Sequence, residues 1–505
     1  MRALGRDIIP QIYKFLTDRE KLLLFATSKR FELFKYKTLY NTCIHVDKIS
    51  KLSYFDRFTH VKANTTKTKL PSHVTHLTFN TLIKNLGQDH KPEKLIPNYI
   101  PKTVTHLIFG DDFNGPVRNC IPKSVTHLEF GYSFNKSVKG CIPKSVTHLT
   151  FGFNFSKCIK HSIPSAVTHL EFGLVFNKSI KGSLPDTLTH LKFGHYFDQQ
   201  IKNYIPFGVT HLTFGGHFRH LEKYCMPPSV TNLVLDTVAQ IVPDCIPLSV
   251  TRLTLGLVSC KLTKGCIPAS VTDLSIAGYN YSDLLGCIPG SVSHLMLGDL
   301  FKGSINLSDA DSVTHLTFDN GFRWPVVGCM PKYVTHLTFG DGFDHPINDC
   351  IPKTVTHLIL GHKFNHPIDG CIPKSVTHLT FGGYFNQYID KCIPRSVTHL
   401  TFGSDFNLLT KRCIPASVTH LTFGQRFNKP VQGCIPHSVT HLTFGYDFNQ
   451  SIDSLPKSVT HLGLGRCFNQ PLNNLPMSVK RVTLNRFCKI KVCDDLLLRV
   501  EIVRR

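Results

Sequence analysis

The sequence predicts a repeat solenoid with one parallel strand per turn, preceded by a small α-helical module. Three observations carry that expectation. Prolines recur at a fixed step, at Pro101, Pro122, Pro143, Pro164, Pro185, Pro206 and Pro227, then Pro247, Pro268 and Pro289, then from Pro331 through Pro476, and within each run the step is 20 or 21 residues. A period near twenty, sustained over most of a chain, is the mark of stacked units that each contact mainly their neighbours. Every period also carries a strand-like alternation, as in Val376-Thr377-His378-Leu379-Thr380-Phe381-Gly382, whereas the first residues follow a helical period of 3.6.

The helical module covers residues 1–40. Ile8, Ile9, Ile12, Phe15 and Leu16 fall on one stripe, and Thr17-Asp18-Arg19-Glu20 offers a capping box for a second helix carrying Leu22, Leu23 and Ala26. Ser28 caps a third, with Phe31 and Phe34 on its inner side. Three short helices bury too little surface to stand alone, so they dock on the array, on a partner, or on both. Residues 41–70 read as an irregular cap or linker into the array.

The array covers residues 71–485 in about 20 units. Leu379 and Phe381 point inward, so His378 and Thr380 point outward. Gly382 ends the strand, Phe385 turns inward, Asn386 bonds the backbone of its turn, Ile389 and Ile393 fill the far side, and Pro394 starts the next unit. The first unit is longer, with 30 residues from Pro71 to Pro101, and Gln88 to Pro92 read as its surface loop. The middle units drift: the histidine column becomes Asn232, Arg252 and Asp273, the Phe-Asn pair is missing between Tyr224 and Ser312, and Ala310 replaces the proline. Residues 486–505, with Leu496, Leu497, Leu498, Val500, Ile502 and Val503, read as a closing cap.

Lysine and arginine (57) exceed aspartate and glutamate (34) by 23, which permits acidic partners of several kinds. The excess is scattered, however: Lys102, Lys123, Lys144, Lys332, Lys353, Lys374 and Lys457 follow the anchoring proline and form a solvated stripe. Nucleic acid is not expected, because base stacking needs exposed aromatics between the charges and the phenylalanines read as core. The opening MRALGRDIIPQIYKF lacks a secretory pattern and no segment is apolar enough to span a membrane, so an intracellular protein is expected. Twelve of the 18 cysteines share one position, before Ile-Pro or Met-Pro, and read as small buried thiols of a reducing compartment.

Sixteen of the 28 histidines share the column from His76 to His461. Their flanks are mostly threonine, with no nucleophile or carboxylate set beside any one of them, so no catalytic residue, cofactor or metal site is assigned and an enzyme is not expected. Stacked, half-exposed strand residues explain the column. Like charges about 5 Å apart oppose each other, so acid should load this face with charge and weaken the stack.

In the head, Leu4, Ile8, Ile9, Ile12, Leu16, Leu22 and Leu23, with Ser28-Lys29-Arg30-Phe31 closing the run, resemble the F-box, although Gly5 and Asp7 stand where that family carries proline and glutamate. The resemblance implies a Skp-type adaptor and a cullin as partners. A plain helical cap over the first unit is the other reading, and the two are compatible. In the array, the frame Val-x-x-Leu-x-Phe matches that of leucine-rich repeats, and Phe364-Asn365-His366-Pro367-Ile368, Phe427-Asn428-Lys429-Pro430-Val431 and Phe468-Asn469-Gln470-Pro471-Leu472 resemble the FNIP repeat of amoebae and the giant DNA viruses that infect them. The resemblance implies a leucine-rich-repeat-like solenoid with an interaction role: a substrate-recruiting ubiquitin-ligase subunit, or a scaffold or decoy acting without ubiquitin. The target is not legible. Drift in the middle units reads either as neutral decay or as a partner patch of Asn232, Arg252 and Asp273, with Arg323 and Trp324 nearby, since identical units discriminate little.

Overall fold

The computed structural model describes residues 15–80, 95–239, 241–279, 284, 286–299, 306–326, 328, 330–488, 490, 492 and 494–505. The chain divides into two units, Met1–Leu235 and Asp236–Arg505, and both are parallel-strand solenoids.

Unit 1 opens on α1 (Asp18–Ala26), which starts at the expected capping box: the Thr17 hydroxyl accepts from the Glu20 N–H, and the Glu20 carboxylate accepts from the Thr17 N–H at 2.8 Å. α2 (Lys29–Glu32) and a 3-10 turn (Leu33–Tyr36) follow. Buried Phe25 stacks on Phe34 at 6.1 Å. The chain then enters the array through Tyr40, fully buried and stacked on Phe58 at 5.0 Å, whose N–H and carbonyl bond Arg57 and Thr59. β1 (Ile44–His45) lies parallel to β2 (His60–Ala63), with α3 (Val46–Ile49) between them in sequence, and β2 pairs with β3 (His76–Phe79). Residues 41–70, read above as an irregular entry, therefore supply two rungs. They lack the anchoring proline and the even spacing, so the repeat did not reveal them.

From β3 the rungs run through β4 (His106–Phe109), β5 (His127–Phe130), β6 (His148–Thr150), β7 (His169–Glu171), β8 (His190–Lys192) and β9 (His211–Phe214) to β10 (Asn232–Val238). Unit 2 continues the plan with β11 (Arg252–Val258), β12 (Asp273–Tyr279), β13 (His294–Leu297), β14 (His315–Phe318), β15 (His336–Thr338), β16 (His357–Ile359), β17 (His378–Thr380), β18 (His399–Thr401), β19 (His420–Thr422), β20 (His441–Thr443), β21 (His461–Leu464) and β22 (Arg481–Leu484). The tail adds α4 (Asp494–Arg499) and a further strand, β23 (Glu501–Arg504), paired with β22. Arg481 forks onto Glu501 across that pair at 2.8 and 2.9 Å.

One turn explains the rest. The Pro373 carbonyl accepts from the Val376 N–H, which folds the chain tightly into the strand and buries Val376 completely. Leu379 and Phe381 follow inward, and Phe381 packs on Phe402 of the next turn at 5.6 Å and on Phe385 of its own at 4.0 Å. Each such ring contributes roughly 1.5–3 kcal/mol by leaving water. Glycine is required where strands end, because a Cβ on Gly403 would overlap the Gly382 carbonyl. Asparagine works between turns and not within its own: Asn365 Oδ1 accepts from the Asn386 N–H at 2.9 Å, and Asn386 Oδ1 from the Asn407 N–H at 3.0 Å. Ile389 and Ile393 are buried as expected, and the named lysines of the stripe are exposed. Where Ala310 replaces proline the turn survives, since its carbonyl still accepts from the Val313 N–H at 3.0 Å.

Candidate functional site

The most regular exposed surface of each unit is its outward strand face. Register places each histidine opposite the next, as His357 opposite His378 and His378 opposite His399. The rings stack at 3.9–4.2 Å from His60 to His211 in unit 1 and at 4.1–4.3 Å from His294 to His461 in unit 2, within 9–17° of parallel. His60 was missed by the proline spacing, although Thr59-His60-Val61 repeats the Thr-His-Leu order of later rungs.

Threonine fixes the rings. Thr377 Oγ1 lies 3.2 Å from the Thr356 carbonyl of the previous rung and 2.9 Å from His378 Nδ1, and this pair of contacts recurs along both ladders. A hydroxyl has one proton, so both contacts are hydrogen bonds only when Oγ1–H donates to the carbonyl and Nδ1–H donates to Oγ1. The neutral ring then carries its proton on Nδ1 and leaves Nε2 as an acceptor. Burial first, then His60, His106 and His127, push His76 down to about 4. Burial first, then His357 and His399, likewise hold His378 below the ordinary imidazole range. His76 and His378 are therefore neutral at neutral pH. Among the described residues no three metal-ligating side chains gather.

The next outward column is mostly threonine, but in unit 1 it carries Glu129, Glu171 and Lys192, with Lys192 Nζ 2.6 Å from Glu171. Burial, then Glu171 and Asp111, raise the Glu129 carboxyl.

The drifted residues fall in different places. Asn232, half-buried, begins the last strand of unit 1. Arg252 and Asp273 face each other in register in unit 2, where with Ser275, His294, Met296 and Thr317 they line an open groove of about 220 Å³. The Asp273 carboxylate accepts from the Thr272 hydroxyl at 2.8 Å. Arg323 and Trp324 are exposed but sit after β14, following buried Phe322, in the position of the Phe-Asn turn and away from the strand column.

In the head, Leu4, Ile8, Ile9 and Ile12 lie outside the described residues. Leu16 and Leu22 are half-buried, while Leu23 is 62% exposed, joined by Leu33 at 63% and Phe15 at 87%. α1 is held from its other side. Burial would raise the Asp18 carboxyl, but Lys21 at 2.8 Å and the Thr42 N–H at 2.7 Å hold it below the usual range.

Among the described residues no helix is long and apolar enough to cross a membrane. The FNIP repeat family model matches residues 93–133, 134–174, 176–217, 326–363, 364–405, 406–447 and 448–487, more than half of the chain. A protein of Acanthamoeba polyphaga mimivirus named as an F-box protein is 31% identical over 119 residues, 20% of this chain and 89% of the relative. A second mimivirus protein, named as FNIP repeat-containing, is 33% identical over 125 residues, 23% of this chain and 32% of the relative. Among solved structures, CroV588, described as a novel circular leucine-rich-repeat protein, is 29% identical with a TM-score of 0.58, covering 89% of this chain and 82% of that one.

Proposed function

The chain belongs to the FNIP repeat family, as an F-box/FNIP repeat protein of the mimivirus type, and from that premise we propose that it recruits a target protein to a cullin-type ubiquitin ligase in a host cytoplasm. The head takes the Skp-type adaptor and the array takes the target, without chemistry of its own. The observation that carries this reading is the head's two-sidedness. Phe25 and Asp18 tie α1 to the rest of unit 1, while Leu23 and Leu33 stay in water, an arrangement a mere cap does not need. Repetition supports the rest, since stacked turns offer a long surface and, among the described residues, no three metal-ligating side chains gather on it.

The test is capture from amoebal lysate by the full chain and by the full chain carrying Leu23→Asp and Leu33→Asp, with the Skp-type adaptor and cullin probed. Recovery by the native chain and a loss of at least tenfold in the variant is expected. If neither chain recovers an adaptor, the ligase role falls and a scaffold or decoy remains.

A further inference from the structure

Tyr132, Tyr224, Tyr333 and Tyr388 are exposed, so the aromatics of the array are not all core, and in the last turns of unit 2 two exposed rings carry arginines. Tyr446 and Arg466 directly follow strand-ending glycines, and Arg486 follows Asn485 in the same position. The Arg466 guanidinium sits 5.7 Å from the Tyr446 ring centre and 5.2 Å from that of Phe487, and Arg486 sits 4.7 Å from Phe487. Both rings are exposed, Tyr446 at 43% and Phe487 at 53%. Stacking on a ring holds a guanidinium in place and leaves its N–H fork free, so much of the entropy cost of binding an oxyanion is already met.

Nearby arginines are occupied. Arg426 pairs with Asp405 at 3.0 Å and Arg481 with Glu501, while Arg499 and Arg504 donate to backbone carbonyls. Arg466 and Arg486 make no ion pair among the described residues. Two unneutralised forks on adjoining turns, packed around one phenyl ring, call for two carboxylates a short distance apart. The two guanidinium centres lie 5.2 and 4.7 Å from the same Phe487 ring centre and so at most about 10 Å apart, within reach of carboxylates on alternate residues of an extended peptide, which lie about 7 Å apart on one side. A long polyanion fits less well, because the Asp447 carboxylate stands next to Tyr446 at the edge of the patch.

We propose that Tyr446, Arg466, Phe487 and Arg486 form a docking site for a short, extended acidic segment of the target protein, with carboxylates on alternate residues. This rests on the reading of the array as the part that holds the target. Fluorescence anisotropy tests it with the full chain and a labelled Asp-Gly-Asp-Gly-Asp-Gly peptide, its asparagine counterpart and a labelled single-stranded DNA hexamer. The aspartate peptide should bind, weaken with salt, and lose at least tenfold in affinity with Arg466→Gln and Arg486→Gln, while the thermal midpoint of that variant stays native. Absent binding, equal binding by the variant, equal binding of the asparagine peptide, or tighter binding of the DNA would each overturn the proposal. No adaptor enters this assay, so failure of the ligase role in the lysate experiment leaves its outcome intact.

Discussion

Within unit 2, the turns around β15–β20 and those around β11–β12 share one inner plan and differ in how the chain leaves the strand. In both sets a glycine passes under the previous carbonyl, as Gly403 under Gly382 and Gly256 under Asp236, but in the first set a phenylalanine then drops into the core and strands stop after three residues. In the second, Gly256-Leu257-Val258 and Ala277-Gly278-Tyr279 stay paired, Leu257 opposite Gly278 and Val258 opposite Tyr279, and the strands run for seven. Val258, fully buried, takes up core space that phenylalanine fills elsewhere. Turn chemistry thus sets strand length, while the inner columns require only volume. Outward positions are freer, and there histidine gives way to Arg252 and Asp273.

The largest expected difference between the two regions is in core volume. Phe385→Ala should cost about 3–5 kcal/mol in urea unfolding and Val258→Ala about 2 kcal/mol. Equal losses would mean that the two inner columns do not share one packing scheme.

Protonation comes next. Above about 6.5 folded and unfolded chains both hold neutral imidazoles, and stability is full. As pH falls the unfolded chain takes protons that the ladder resists, so stability drops until the folded value, about 4 for His76, has been passed. The thermal midpoint should fall between pH 7 and 5, and His357→Asn with His378→Asn, copying Asn232, should flatten that slope. An unchanged slope would remove the ladder as its cause.

The smallest effect concerns the backbone. The residue before the cysteine column is left-handed in both regions, and each mixes glycine with other residues there: Gly265 and Gly286 with Asp244 in the drifted turns, and Gly370 and Gly433 with Lys391 and Arg412, at φ 58° and 64°, in the regular ones. Lys391→Gly should stabilise by about 0.5 kcal/mol, as relief of the strained φ slightly exceeds the added chain entropy. Destabilisation would show that the lysine side chain contributes where it lies.

Inward and outward columns were legible because strand alternation needs only two residue classes, and the Thr17–Glu20 cap because its partners are three residues apart. Interactions between turns were hidden. Nothing in Asn386 alone says that its oxygen serves Asn407, nor in Thr377 that its hydroxyl fixes a ring while reaching Thr356, because these partners are about one period away. Strand lengthening at β11 and β12 was visible only as a missing Phe-Asn pair. The exposed leucines of the head were legible as apolar residues, but their side of α1 was decided by Asp18 reaching Thr42.

Because the Thr, Asn and His columns each bond to the turn before and the turn after, every turn is both socket and plug. Gaining or losing one whole period rejoins the same groups, whereas a single-residue change shifts strands and turns against their neighbours. The molecule's length is therefore a quantity that copying errors can adjust in steps of about 21 residues with the fold intact, so that reach toward a target and stability of the stack can be altered separately.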